Sequence, residues 1–288
     1  KLNYTTAVIE VLRTGLYSSI QDFGRMGYQH LGIPIGGAMD HTAMHEANAL
    51  LGNPKNSAVL EMSFQGPKLL FHQPLQIALA GATMEIQLNG KKIKPLNLIS
   101  VEKNETLQFG NVLNGKRTYL AVEGGFQSET VLGSQSQYEG VTKYATLRKN
   151  EILNTGGSTQ KEKSKNLIME VTKSFKNTIP VYKGPDYPLL SEKEIKRLTS
   201  ELFTISVQNS RMAYVLEEKL TPHEASLWTG PVMPGTVQYT PNGSLIILMR
   251  DAQTTGGYPR ILQLSDEGIN CLAQKSTRDP FQFELVEI

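Results

Sequence analysis

Cysteine is almost absent from this 288-residue chain, where Cys271 stands alone. No intrachain disulfide can form and no cysteine-based zinc site can be assembled. That inventory fits a reducing compartment, and the expectation is a cytoplasmic protein. Long apolar runs are missing too: the longest, near residues 77–82, breaks at Gly81, far short of the roughly 20 residues a bilayer span needs. The first residues lack the basic, apolar, small-residue order of a secretion signal. Charge is nearly balanced at +2 with no Lys/Arg run, so neither nucleic acid nor a membrane is expected as a partner. A Walker-type G-x-x-x-x-G-K-[ST] loop is absent, so an ATP site would be of another kind or shared with another chain. No biotin-attachment domain is visible. Asn3-Tyr4-Thr5, Asn104-Glu105-Thr106 and Asn242-Gly243-Ser244 match the glycosylation tripeptide and, without a secretory context, are read as chance.

What is present is ordinary globular composition, 39% apolar and 19% charged, over a length that favours two domains. Short apolar runs dominate. Between residues 58 and 122 they fall at 58–62, 68–71, 76–80, 84–88, 107–109 and 118–122, separated by turn signals at Gly66-Pro67, Gly81, Asn89-Gly90, Gly110-Asn111, Asn114-Gly115 and Gly124-Gly125. This spacing predicts a mainly β protein built as barrels or sandwiches, with Asn89-Gly90 the clearest two-residue hairpin. Two helices interrupt it. Asp40 caps an apolar period that Gly52-Asn53-Pro54 stops, and Ser191 with Glu194 forms a capping box before Ile195, Leu198 and Leu202. Further strands are expected at 7–12, 167–171, 179–182, 203–207 and 281–288, and a linker or exposed loop at 155–166.

Two glycine-punctuated stretches stand out. Residues 15–40 hold too many breakers for helix or long strand, yet Phe23, Met26, Tyr28, Leu31 and Ile33 supply apolar anchors, so an ordered loop is expected to present Gln21, Asp22, Arg25 and Asp40. Residues 246–264, IILMRDAQTTGGYPRILQL, read as strand, turn, strand with Gly256-Gly257 at the turn. Asp251, Gln253, Thr254, Thr255 and Tyr258 could then floor a ligand site, or the stretch could be a hairpin whose Thr and Asp satisfy their own backbone. His41 and His45 share a helix face as metal ligands do, but no third ligand is evident and no metal site is expected. The serines of Leu132-Gly133-Ser134-Gln135-Ser136 do not form a G-x-S-x-G elbow and read as a loop of hydroxyl donors.

The segments QDFGRMGYQHLGIPIGGAMD, LAVEGGF, VLGSQS, MPGTVQYTPNG and ILMRDAQTTGGYPRI resemble, in register from about residue 8 to about residue 285, the carboxyltransferase-type family, also called allophanate hydrolase subunit 2 or KipA-like. The resemblance implies two cyclophilin-like β-barrel domains, at 1–165 and 166–288, with strands open to exchange between them. It implies the C subunit of an ATP-dependent 5-oxoprolinase, which opens 5-oxoproline to L-glutamate together with an A-subunit hydrolase and a KipI-like B subunit. ATP, with Mg, would belong to the complex, and biotin is not expected on this chain. Carried over residue by residue, Asp22, Arg25 and Asp251 are implied as catalytic. Gln21, Asp40, Asn48, Arg211, Gln238, Gln253, Thr254, Thr255, Gly256, Gly257 and Tyr258 are implied as substrate-binding, with Gly24 and Gly235 also matched. Two alternatives are a non-enzymatic partner of a KipI-like kinase inhibitor and a biotin-dependent carboxyltransferase for urea or another amide. The chain departs from the family pattern at Ala213 and Val215, at Asn209-Ser210, and at GVTKYATLRK, residues 140–149.

Overall fold

The computed structural model describes residues 8–94, 97–156, 176–225 and 227–287. The chain folds as two compact β units. Within the described residues one unit comprises 8–24 and 40–156, and the other Arg25–Met39 and 176–287. The strand expected at 167–171, most of the expected linker, the boundary at 165/166 and the tripeptide at Asn3 lie outside the described residues.

The first unit is a ten-stranded sheet. Its main path runs Tyr17–Gln21, Val59–Ser63, Thr106–Val122, Lys68–Phe71, Val8–Arg13, Ile152–Thr155, Phe126–Gln127. Leu75–Leu88 branches from Thr106–Val122 and pairs in turn with Lys91–Ile93 and Leu98–Val101. Inward residues such as Val11, Leu60, Phe71, Ile77, Phe109 and Leu120 are fully buried. Asn89 and Gly90 both take positive φ, 49° and 79°, and turn Leu88 onto Lys91 as a two-residue hairpin. Gly66-Pro67 and Gly124-Gly125 also fall between strands as expected, whereas Gly81, Gly110-Asn111 and Asn114-Gly115 do not. The runs at 76–80 and 84–88 are one strand, and those at 107–109 and 118–122 are another. Gly81 and Gly115, with φ of 88° and 85°, lie inside these long strands, whose pairing slips register between Gly81 and Ile86. A glycine that signals a turn in isolation serves as a bulge when a long partner strand is available on both sides of it.

Helix α1, His41–Leu50, starts where expected: Asp40 accepts a hydrogen bond from the Ala43 N–H at 3.0 Å. Its buried face is Ala43, Met44, Ala47 and Asn48.

The second unit is a closed seven-stranded barrel. The order is Thr178–Lys183, Arg260–Leu264, Thr236–Tyr239, Ser244–Leu248, Ala213–Lys219, Phe203–Asn209, Pro280–Leu285, and the last strand closes on the first in parallel. Phe203, Phe281 and Phe283 pack ring to ring at its centre, with Met39 in the same buried cluster. Helix α2, Glu192–Ser200, carries the full Ser191/Glu194 capping box. Leu198 is buried, but Leu202 lies beyond the helix end and is exposed. Helix α3, Asp266–Ala273, was not expected. Ser265 caps it, but Gly268 and Asn270 weaken the local helical signal; Gly268 is there because a side chain would meet the Pro180 carbonyl at 2.6 Å.

The stretch 246–264 is also corrected. Its two strands, Ser244–Leu248 and Arg260–Leu264, are not partners, since Thr236–Tyr239 lies between them and pairs with both. The residues connecting them leave the barrel, and Thr255–Gly256 forms a small ribbon with Gly230–Pro231. The expected hairpin is therefore a long excursion. Its far end is open to solvent at Gly257 and Tyr258.

Candidate functional site

In the barrel unit, the early and late glycine-punctuated stretches meet. The Arg25 N–H donates to the Ile35 carbonyl at 2.7 Å, and the Gly36 N–H donates to the Arg250 carbonyl at 3.0 Å. Gly36 and Gly37 both have positive φ, 67° and 87°. Arg211 grips Asp251 through two bonds: Nε donates to Oδ2 at 2.7 Å and Nη2 to Oδ1 at 3.0 Å. The same Nη2 donates to the Gly37 carbonyl at 2.6 Å, and the Asp251 N–H returns a bond to the Arg211 carbonyl. A planar guanidinium holding a carboxylate by both oxygens fixes its orientation as well as its charge. With both side chains largely withdrawn from water, the pair is costly to break from one side.

Gly36 lies between two of these side chains. A Cβ placed on it would lie 3.6 Å from Arg25 Nη1 and 3.8 Å from Asp251 Oδ1. Arg25, Arg211 and Asp251, three residues separated by up to 226 positions in sequence, thus gather at one pair of glycines. Arg25 is fully buried.

Farther along the same excursion, Gln238 is buried against Gly256, where an added Cβ would stand 2.3 Å from its Nε2. Neither Gln238 Nε2 nor Gln253 Oε1 has a hydrogen-bond partner, although both atoms are shielded from solvent. The Thr254 carbonyl accepts from the Val232 N–H, which anchors the ribbon that carries Thr255 and Gly256. Gly257 lies beside Thr229, and Tyr258 is partly exposed.

The other predicted residues lie in the first unit, each in a local network. Asp22 accepts four bonds: Oδ1 from the Gly24 N–H and the hydroxyls of Ser134 and Ser136, and Oδ2 from the Gln135 N–H, all between 2.6 and 2.8 Å. The loop of hydroxyl donors read from the sequence thus wraps this carboxylate. Gln21 Nε2 donates to Ser19 Oγ and the Gln137 carbonyl. Asn48 links α1 to the following turn, donating to the Ser57 carbonyl and accepting from Asn53 Nδ2. Asp40, besides capping α1, donates its own N–H to Tyr119 Oη, which in turn donates to Glu61. Burial, then the charges of Glu61 and Asp40, push the Tyr119 phenol well above its ordinary pKa, so it stays a donor. Glu61, ion-paired with Arg117 inside the sheet, is a buried charge that the sequence did not flag, since alternating strand residues give no sign of which strand faces carry pairs.

Of the two histidines, His45 is partly buried and its pKa is lowered by burial and then by Lys55. The Phe23 ring lies against both, 4.3 Å from His41 and 5.0 Å from His45. Among the described residues no group of three or more His, Cys, Asp or Glu is placed to hold a metal ion.

Residues 31–285 match the family model described as carboxyltransferase domain, subdomain A and B. The chain is 31% identical to the C subunit of 5-oxoprolinase from Escherichia coli (strain K12), over 96% of this chain and 90% of that protein. It is 28% identical to the Haemophilus influenzae protein of the same name, over 98% and 92%. A urea amidolyase of Lachancea kluyveri is 36% identical over 137 residues, 47% of this chain and 8% of that protein. Among solved structures, TTHA0988 superposes with a TM-score of 0.87 at 24% identity, and the Kluyveromyces lactis urea amidolyase with 0.84 at 25%, each over 99% of this chain. The chain spans 57% of the first and 19% of the second. The motifs, the two β units and a match covering nearly the whole sequence agree, and the chain belongs to the family of carboxyltransferase domains, subdomain A and B.

Proposed function

We propose that this chain is the C subunit of an ATP-dependent 5-oxoprolinase, acting in the cytoplasm with an A-subunit hydrolase and a KipI-like B subunit to open 5-oxoproline to L-glutamate. The observation that carries this reading is the extent of the match. Proteins named as the C subunit of 5-oxoprolinase align over 90% and 92% of their own length, whereas the urea amidolyases align over 8% and 7% of theirs. The cyclophilin-like identity of the two units belongs to the same proposal.

5-Oxoproline is a small carboxylate with an unreactive lactam, so the site must hold the carboxylate and favour charge on the amide oxygen. We assign the carboxylate to Arg25. Arg211 is engaged by Asp251 and the Gly37 carbonyl, and its role is to aim Asp251 at the substrate. Gly36 keeps side-chain atoms out of the space that Arg25 and Asp251 border. Thr254, Thr255 and the amides of Gly256 and Gly257 are the proposed donors to developing negative charge. Asp22, with four donors already on its oxygens, is assigned to shaping its loop. ATP, when bound to the complex, supplies a phosphoryl group that activates the lactam oxygen.

The higher identity to the urea amidolyase over half the chain, 36%, favours a second reading, carboxyl transfer to urea or another amide. That chemistry needs carboxybiotin from another chain. The test is to mix the purified chain with the A and B subunits and measure glutamate formed from 5-oxoproline and ATP. Glutamate formation insensitive to avidin and lost in Asp251→Asn is the expected result. Undiminished activity in that variant removes the assigned role of Asp251, and dependence on carboxybiotin selects the second reading. Binding to the B subunit without any turnover selects a purely regulatory partner.

A further inference from the structure

One rim of the first unit's sheet is strained, apolar and positively charged at once, and it holds none of the residues assigned above to a site. Phe64 is its centre. The Gln65 N–H donates to the Ser63 carbonyl at 2.7 Å across Phe64, whose φ is 62°, a rare kind of γ-turn that a bulky side chain adopts only under strain. The neighbouring chain pins it there: the Leu16 N–H donates to the Gln65 carbonyl at 2.9 Å and the Val112 N–H to the Phe64 carbonyl at 2.8 Å. Leu16 and Leu113 are thereby brought beside the turn, and Leu16, Leu113 and Phe64 are 71%, 61% and 49% exposed.

The charges are as unfavourable as the backbone. Arg13 and Lys68 stand directly opposite each other on paired strands, where like charges repel, and neither forms an ion pair among the described residues. The Lys116 ammonium lies 5.6 Å from the Phe64 ring centroid. The stretches that make the rim, 13–17, 63–68 and 108–117, contain no Asp or Glu. The carboxylates around it are already matched: Glu85 beside Gly110 is bonded to Lys92, Glu61 is paired with Arg117, and beyond Thr14 Glu139 stands among Lys143, Arg148 and Lys149. A strained turn, exposed apolar side chains and facing like charges each cost stability, and their concentration at one rim points to a contact with another molecule. A second copy of the chain would set cation against cation, and the two exposed cations, Arg13 and Lys68, are too few for an anionic bilayer, which takes about 4–8. A protein face with negative charge around an apolar centre would cover the ring and the leucines and neutralise the cations.

We propose that this rim docks a companion subunit through an apolar patch ringed by Asp and Glu, with Phe64 as the anchor. The inference rests on the multi-subunit reading given above and is independent of the Arg25–Asp251 assignment. The test is sedimentation of the full chain with the purified A and B subunits, each separately. One of them should bind the wild-type chain, more weakly as salt rises, and should bind Phe64→Gly and Arg13→Glu/Lys68→Glu at least about tenfold more weakly. Glycine tolerates positive φ, so Phe64→Gly should melt no earlier than wild type while losing the partner. Wild-type affinity in either variant overturns the docking rim and leaves the multi-subunit reading standing, which glutamate formation by the three wild-type subunits reads separately. No binding of the wild-type chain to either subunit overturns both. Self-association that Phe64→Gly abolishes, or uptake onto vesicles of phosphatidylcholine and phosphatidylserine in place of subunit binding, overturns the proposal in favour of a second copy or a bilayer. If Phe64→Gly melts earlier, Leu113→Asp replaces it: a tenfold loss of subunit affinity supports the rim, and no loss overturns it.

Discussion

Replacing Asp251 by Asn removes the negative charge that Arg211 is built around while leaving the side chain its size. Asn can present one oxygen to the guanidinium, but its Nδ2 then faces an N–H donor, so at least one of the bonds at 2.7 and 3.0 Å is lost. The guanidinium, with its side chain 9% exposed, keeps its charge and its bond to Gly37 but loses its counter-ion. Breaking a buried pair from one side costs about 3–5 kcal/mol. Arg211→Met should cost a comparable amount, by leaving Asp251 unpaired. The double variant Arg211→Met/Asp251→Leu should recover much of the loss, because two apolar groups leave no stranded charge, giving a coupling of about 2 kcal/mol or more. Urea unfolding followed by circular dichroism is the assay, fitted with separate transitions because the two units need not unfold together. The loss belongs in the barrel's transition. Single variants that each cost under about 1 kcal/mol, or whose effects simply add, would refute the claim that this pair is a buried brace.

Other outcomes follow from local structure. Ser191→Ala removes the capping-box hydroxyl of α2, which bonds the Glu194 N–H, and should lower barrel stability by about 1 kcal/mol; no change in the urea midpoint counts against it. The one hydroxyl proton of Tyr239 is shared between Glu194 and the Thr221 carbonyl, and burial with the Glu194 charge pushes its phenol from 10.0 up to about 12. The folded state therefore favours the neutral phenol: this contribution is full below pH 10 and is lost as pH rises towards 12, a fall that Tyr239→Phe should flatten in melting curves taken across that range. For His45 the shift is downward, so its contribution is present above pH 6.5 and declines as pH drops below that value; His45→Gln should remove this part of the acid dependence.

Features decided by three or four neighbouring residues were legible in advance. Asp40 and Ser191 cap helices because the donors they meet, Ala43 and Glu194, are three positions on. Asn89-Gly90 makes its hairpin because both residues tolerate positive φ. The glycines at 81 and 115 have the same local freedom and became bulges, because the two long strands on either side continue to pair past them. Helix α3 was hidden by Gly268, whose lack of a side chain serves contact with Pro180 and not the helix. Gly36, which the sequence marked as part of an ordered loop, stands between Arg25 and Asp251.

The order of apolar and turn residues by itself determined a β-rich chain with two capped helices, and its long motifs determined the family, since both are written in neighbouring positions. Only the tertiary structure decided which strands pair, that 25–39 packs with the barrel, and that Arg211 takes Asp251 as its partner. Those outcomes depend on which distant backbone is within hydrogen-bond reach and which charge is shielded from water with which other. Neither property exists until the chain has closed on itself.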